Sequence, residues 1–263
     1  MKKSAKPQIF KRARPDLSGE SMRGFKRHRN FLALLILGAV VLGMTGYARW
    51  IEPSWIEVSR YSLGGSPTML RVAQLSDLHI RKLGSRELKI LEILRHERPD
   101  AILITGDSIA ENANYSALGE FLSHLQAPLG IWLIRGNWEH WRPSEEETEI
   151  YRNAKVNFLD NSSAQLTEGV WLIGVDDEMA GQPDLKLALK DVPRDSFKIG
   201  LFHSPAFFDQ TKTHFNLALS GHTHGGQIRL PFLPPFWLPE GSGRFVSGWY
   251  MNGDSRIYVS GFL

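Results

Sequence analysis

Apolar residues fall along this chain in short blocks, and most blocks end on the same few polar residue types. Leu70–Leu75 (LRVAQL), Ala101–Thr105 (AILIT), Ile131–Ile134 (IWLI), Val170–Val175, Phe197–Phe202 and Asn216–Leu219 have the length and β-branched, aromatic composition of buried strands. Between the first three, Leu88, Leu91 and Leu94, with Ile90 and Ile93 alongside, repeat at helical spacing. They predict a helix over Arg86–Arg98 that Pro99 stops, and Tyr115–Leu125 predicts a second. Ser144–Arg152 predicts a third, with Ser144 three residues before Glu147 in a capping box. Ile51–Pro67 reads as a linker or a lead-in strand, and Asn252-Gly253-Asp254 as the turn of a closing hairpin. Strands alternating with helices, then a β-rich end, predict an α/β layered fold.

One apolar block is of a different kind. Phe31–Tyr47 (FLALLILGAVVLGMTGY) is uncharged and apolar on every helical face. As a helix it would reach about 25 Å, the short end of what crosses a bilayer. It exceeds the usual signal-peptide core, and no A-x-A cleavage site follows. The reading is a single anchor over 31–48, after a basic tail over 1–30 and before a linker over 49–68, with a catalytic domain over 69–263.

Charge changes the picture only at the N-terminus. Residues 1–30 hold ten of the chain's 31 Lys and Arg but only two of its 28 Asp and Glu, so 21 bases face 26 acids in the remainder. The sequence pI of about 9.1 therefore belongs to the tail, and the domain offers no polyanion groove; nucleic acid is not an expected partner. By the positive-inside rule the tail is cytoplasmic and the domain extracytoplasmic, on a bacterial inner membrane. The absence of cysteine removes disulfides, zinc–thiolate sites and thiol nucleophiles together.

The chemistry sits where the strands run out. Ser76-Asp77-Leu78-His79 follows the first, Gly106-Asp107 the second and Gly136-Asn137 the third; Phe197–Phe202 runs into His203, and Asn216–Leu219 into Ser220-Gly221-His222-Thr223-His224-Gly225-Gly226-Gln227. In extended geometry His222 and His224 would point to one side. Alone, each has a bland reading as a helix cap, a core histidine or a surface pair. Five strand ends delivering Asp, His, Asp, Asn and three more His to one sheet edge point instead to a ligand cluster. Seven oxygen and nitrogen ligands are too many for one tetrahedral ion and suit two divalent ions, Mn, Fe or Zn, bridged by a carboxylate.

This order, D-x-H, G-D, G-N, a lone H, then G-H-x-H, resembles the calcineurin-like metallophosphoesterases from Leu70 onward. GHTHGGQ, the anchor and the following Ile228-Arg229-Leu230-Pro231 are similar to the YaeI/YkuE-like membrane-anchored subgroup. The resemblance implies a β-sandwich flanked by helices. It implies Asp77, His79 and His224 on one ion, Asn137, His203 and His222 on the other, and Asp107 bridging. It also implies an in-line attack on phosphorus, with Asp107 and Asn137 among the catalytic residues and Trp138, Gly225 and Gln227 contacting substrate. Some members hydrolyse UDP-2,3-diacylglucosamine in lipid A synthesis, so the expected substrate is a phosphodiester or diphosphate, possible carriers being lipid or sugar.

Two departures stand out. The family reads G-N-H-[DE], its histidine acting on the phosphate or the leaving group; here Trp138 holds that place, with His140 two residues on as a substitute. Trp138 cannot donate a proton to a leaving oxygen, which favours groups that depart as stable anions, such as phosphate, and keeps a non-catalytic metal-binding scaffold and a broad phosphodiesterase as rivals. Relatives also continue through a glycine-rich stretch beyond the position of Phe262 and Leu263. The apolar loop Pro231–Pro239 is either packing under the site or a wall for acyl chains.

Overall fold

The structure, a computed structural model, describes residues 18–46, 56–64, 69–112, 114–226 and 235–261, with the side chains of 18–29 excepted. The chain divides into two units, residues 1–53 and 54–263. In the first, helix α1 (Ser18–Gly46) carries the apolar run, and its Phe31, Leu34 and Leu42 are exposed. Among the described residues no helix is long and apolar enough to cross a membrane, so the anchor expected over 31–48 is not an observed element. Tyr47, Ala48 and the tail to residue 17 lie outside the described residues.

The second unit is built on two sheets. β1 (Val72–Leu75), β2 (Ala101–Thr105), β3 (Ile131–Ile134) and β4 (Val156–Phe158) form a parallel sheet in sequence order. Its crossovers carry α2 (Ser85–Glu97), α3 (Tyr115–Ser123), α4 (Asn137–Trp141) and α5 (Glu147–Asn153). The second sheet contains β5 (Ser162–Thr167), β6 (Val170–Gly174), β7 (Phe197–Leu201), β8 (Leu217–Ser220), β9 (Gly248–Asn252) and β10 (Ser255–Val259), in the order β5-β6-β7-β8-β10-β9. Its centre, β6-β7-β8-β10, is parallel and both edges are antiparallel. α6 (Leu185–Ala188) and α7 (Phe207–Thr211) supply residues to its outer face.

Alternation along the strands explains the layers. β2 is buried throughout: Ile102 and Ile104 join Ile90, Leu91, Leu118 and Phe121 of α2 and α3, while Ala101 and Leu103 face Leu172, Leu201 and Leu219 of the other sheet. A third core lies on the far side, around Phe202, Phe207, Phe208 and Phe245. The result is helix, sheet, sheet, helix, with every strand end that matters opening at one edge.

Two local expectations are corrected, and two strands appear where none was expected. Ser144 does not cap α5; the N-cap is Glu146, whose amide donates to Ser144 Oγ at 3.2 Å. Glu147 is instead bound by Arg135 Nη2 at 2.6 Å and by the Tyr151 hydroxyl at 2.8 Å, so no capping box can form. The lead-in strand is absent from residues 56–64, which pair with no sheet; Tyr61 packs on Trp249 and Tyr258 instead. Residues 51–55 and 65–68 of that segment lie outside the described residues. β4 and β5, short and polar, carry too little apolar pattern to have been read as strands.

Leu103, fully buried between the sheets, gives a direct test of the two-sheet core. Leu103→Ala should lower unfolding stability by about 2–5 kcal/mol, while Leu88→Ala on the exposed face of α2 should stay within about 0.5 kcal/mol. Denaturant midpoints measure both, and equal shifts would contradict the layering.

Candidate metal centre

The loops after β1, β2, β3, β7 and β8 meet. Ligand atoms of Asp77, His79, Asp107 and His224 lie within 4.8 Å of one another, and so do those of Asp107, His203 and His222. Asp107 belongs to both groups. Its Oδ2 is 3.2 Å from His203 Nε2 and 3.8 Å from His79 Nε2, while its Oδ1 accepts the Trp138 amide at 2.9 Å. Asn137 Oδ1 stands 3.0 Å from His222 Nδ1, beside the second group.

The donor set tests whether a cation fits. His79 Nδ1 donates to the Ile109 carbonyl at 3.1 Å, His203 Nδ1 to Thr105 at 2.8 Å and His222 Nε2 to Glu240 at 2.6 Å. Each such bond fixes the ring's orientation and turns the other ring nitrogen inward, toward the ligand cluster. Those inward nitrogens nearly touch: His79 Nε2 is 3.3 Å from His224 Nε2, and His203 Nε2 is 3.2 Å from His222 Nδ1. Two nitrogens bound to one ion at about 2.0–2.1 Å have this separation. Nitrogens this close to one another and to carboxylates form a donor set that a positive charge would satisfy. The residues fit two divalent ions.

Electrostatics agree. Burial lowers His79 and His222 below the ordinary imidazole range, and the charge on His203 adds to the effect at His222. Burial opposes charge on His203 as well, but the Asp107 carboxylate overrules it and raises that imidazole well above its usual value. Burial likewise works against Asp107, yet His203 and His79 bring it down to about 2. A proton on His203 thus holds the place a cation would take.

The backbone is bent to achieve this. Asp77, His79, Asp107, His222 and His224 all have positive φ, between 44° and 72°, a region costing about 1–3 kcal/mol for such residues. The extended reading of His222 and His224 is corrected: the backbone turns left-handed at both, and the two rings serve different groups. Close approach explains two of the preceding glycines. A side chain on Gly136 would overlap Asp107, and one on Gly221 would overlap Ser76 and the Asp77 carboxylate.

What clamps the loops is a residue the sequence pattern did not single out. Glu139 is buried and its carboxylate accepts four backbone N–H groups, those of Asp107 at 3.0 Å, Ser108 at 2.6 Å, Ile109 at 3.2 Å and Gly136 at 2.8 Å. Burial and the Asp107 charge push it up to about 7, against the backbone donors, which favour the anion. The signal was present, since Glu139 stands three residues after Gly136, at the N3 position of α4.

The remaining candidates are placed less centrally. Trp138 packs edge-on against His79, ring centroids 5.6 Å apart, and against Trp141. His140 turns to Asp176, Nε2 to Oδ1 2.6 Å. Gly225 is buried in a turn, its N–H on Thr223 Oγ1 at 3.3 Å. Gln227, residues 231–234 of the apolar loop, Phe262 and Leu263 lie outside the described residues. Of the rest of that loop, Phe236 and Trp237 are exposed, and Pro235 and Leu238 fill the space beside Gly226. Asp176 and Asp177 follow β6 as the ligands follow their strands, so the strand-end rule reaches them too.

Residues 70–226 match the sequence model of the calcineurin-like phosphoesterase family. The metallophosphoesterase YkuE of Bacillus subtilis is 31% identical over 255 residues, 88% of this chain and 87% of YkuE. The phosphodiesterase YaeI of Escherichia coli is 28% identical over 232 residues, 82% of this chain and 84% of YaeI. Among solved structures, the NAD nucleotidase of Haemophilus influenzae superposes with a TM-score of 0.47 at 15% identity, over 72% of this chain and 44% of that one.

Glu139→Gln keeps size but turns an amide NH2 toward N–H donors. It should destabilise the protein by about 1–3 kcal/mol and reduce the metal retained after dialysis. Thermal denaturation and elemental analysis read the two effects; wild-type values for both would show the clamp to be dispensable.

Proposed function

The chain belongs to the calcineurin-like phosphoesterase family, and from that premise we propose that it cleaves a phosphodiester or diphosphate bond at two divalent ions held by Asp77, His79 and His224, by Asn137, His203 and His222, and by Asp107 between them. It is a metal-dependent phosphoester hydrolase. The observation that carries the two-ion reading is the pair of donor groups sharing Asp107. When bound, the ions would activate a water and neutralise charge on the phosphoryl oxygens.

The chain's own residues set the geometry. Glu139 fixes the Asp107 and Asn137 loops to one another, and the carbonyls of Thr105, Ile109 and Glu240 aim three imidazoles inward. The Trp138 ring packs edge-on against His79. Support for a phosphodiester comes from YaeI, which bears that activity in its name.

The finer reading is an enzyme attached to a bacterial inner membrane through α1, with its domain on the extracytoplasmic side and a lipid- or sugar-bearing envelope phosphoester as substrate. The exposed apolar side chains of α1 and the basic tail support attachment and orientation. A UDP-2,3-diacylglucosamine-like substrate, made in the cytoplasm, requires the opposite orientation. A reporter fused after Leu263 should be active only outside the cytoplasm; activity inside would reverse the topology and favour the nucleotide sugar.

Turnover of bis-p-nitrophenyl phosphate should require added Mn²⁺ and vanish with a chelator. Asp107→Ala removes the shared ligand and should lower kcat/KM by about 1,000-fold or more. Near-normal turnover by that variant, with both ions present by elemental analysis, would exclude the bridged pair.

A further inference from the structure

Next to the ligand cluster lies a second polar site that the metal chemistry does not use. A cavity of about 290 Å³ is bordered by His140, Asp160, Asn161, Asp176 and Gln182. Two chain paths tie it to the second ligand group. Along α4, His140 is one turn beyond Asn137, a Cβ separation of about 5–6 Å. Across the sheet, Asp177 Oδ1 accepts a 2.6 Å bond from Ser204, the neighbour of His203, and Asp177 adjoins Asp176.

Within this cavity His140 and Asp176 form an oriented pair. Asp176 Oδ1 accepts His140 Nε2 at 2.6 Å, and the carboxylate is itself held by the amides of Asp177 at 2.9 Å and Gln182 at 2.8 Å. Among the described residues no protein group bonds His140 Nδ1, and the side chain is 21% exposed. A carboxylate fixing one imidazole nitrogen while the other faces solvent is the arrangement of a proton donor held in register.

We propose that His140 is the general acid that protonates the leaving oxygen, that Asp176 positions it, and that the polar cavity receives a hydroxyl-bearing leaving alcohol. The proposal rests on the phosphoesterase reading above and deepens it. As water adds to phosphorus, the ester P–O bond breaks and its electron pair stays on the leaving oxygen. That oxygen takes the proton from His140 Nδ1, and the neutral imidazole regains a proton from solvent, which receives the one lost by the attacking water. Trp138 cannot do this, and with His140 in place the enzyme has no need of a leaving group that is already a stable anion. Esters of alcohols become substrates, and the lining of carboxylate and amide groups suits a polyol or sugar hydroxyl better than an acyl chain.

The charged groups around His140 set its titration. The hydrogen bond to Asp176 raises its pKa, partial burial and Arg135 oppose the rise, and Asp177 adds to it; Asp160, itself raised by burial and by Asp176, faces the same cavity. The acid form is the protonated one, so kcat/KM should fall as pH rises through the His140 pKa.

The experiment compares bis-p-nitrophenyl phosphate, with an aryl leaving group, and bis(glycerol) phosphate, with an alkoxide, on the Mn²⁺-loaded full chain. His140→Gln should lose about 100-fold more kcat/KM on the glycerol ester than on the aryl ester, and its alkaline limb should disappear. Asp176→Asn should move that limb to lower pH. Equal losses on both esters, with the limb unmoved, would overturn the proposal. The His140 imidazole resonance, followed by NMR, should titrate above the ordinary imidazole range and drop in Asp176→Asn. An ordinary value unchanged by Asp176→Asn would also overturn it. Failure of the wild type to cleave either ester would refute the hydrolase reading instead, and the titration would still test the pair.

Discussion

Four backbone N–H groups converging on the Glu139 carboxylate hold this site in shape. Three of them belong to the loop after β2 and the fourth to Gly136 after β3, so one side chain locks two strand ends that are also joined by the Trp138 amide on Asp107. An anion accepting N–H bonds in a dry environment gains more per bond than a neutral acceptor, about 1.5–3 kcal/mol each. The desolvation of the carboxylate offsets part of that gain. What remains fixes Asp107, and Asp107 is the residue on which both ligand groups depend.

The clamp is needed because the loops are strained. Five ligands sit in left-handed backbone, where L-residues go only when the surroundings over-determine them. The stability for this comes from elsewhere: the fully buried strand β2, the two-sheet core around Leu103, and the phenylalanine cluster behind the second sheet. A cation would add to it, taking the place of the proton that Asp107 holds on His203. Folding and metal binding therefore act on the same degrees of freedom, and neither sheet alone carries a complete ligand group.

The parts legible in the sequence were those with a period or a repeated context. β2 and β3 were readable to the residue because their apolar runs end on glycine and a polar side chain, and the same context singled out the ligands. The signals that failed were of another kind. Ser144 and Glu147 have capping-box spacing, but Arg135 and Tyr151, nearby only in space, claim the glutamate. Left-handed φ at His222 and His224 leaves no trace in a pattern that an extended strand end would share. Asp176 lies 36 residues from His140, and only the folded sheet brings them to 2.6 Å.

α4 shows how tightly these tasks are bundled. It has five residues, and four neighbours on it are committed to different partners: Asn137 to the second ligand group, Trp138 by its amide to Asp107 and by its ring to His79, Glu139 to the clamp, His140 to Asp176. Successive residues on a helix point about 100° apart, so a single turn can serve four directions at once. The cost is independence, because side chains that share a backbone segment and its partners do not vary additively. Restoring the family's histidine at Trp138 would remove the ring that packs on His79 while placing an imidazole toward the first ligand group, away from Asp176. The proton donor and the aromatic wall are two positions of one helical turn, and exchanging one residue type for the other there moves the chemistry to a different face of the site.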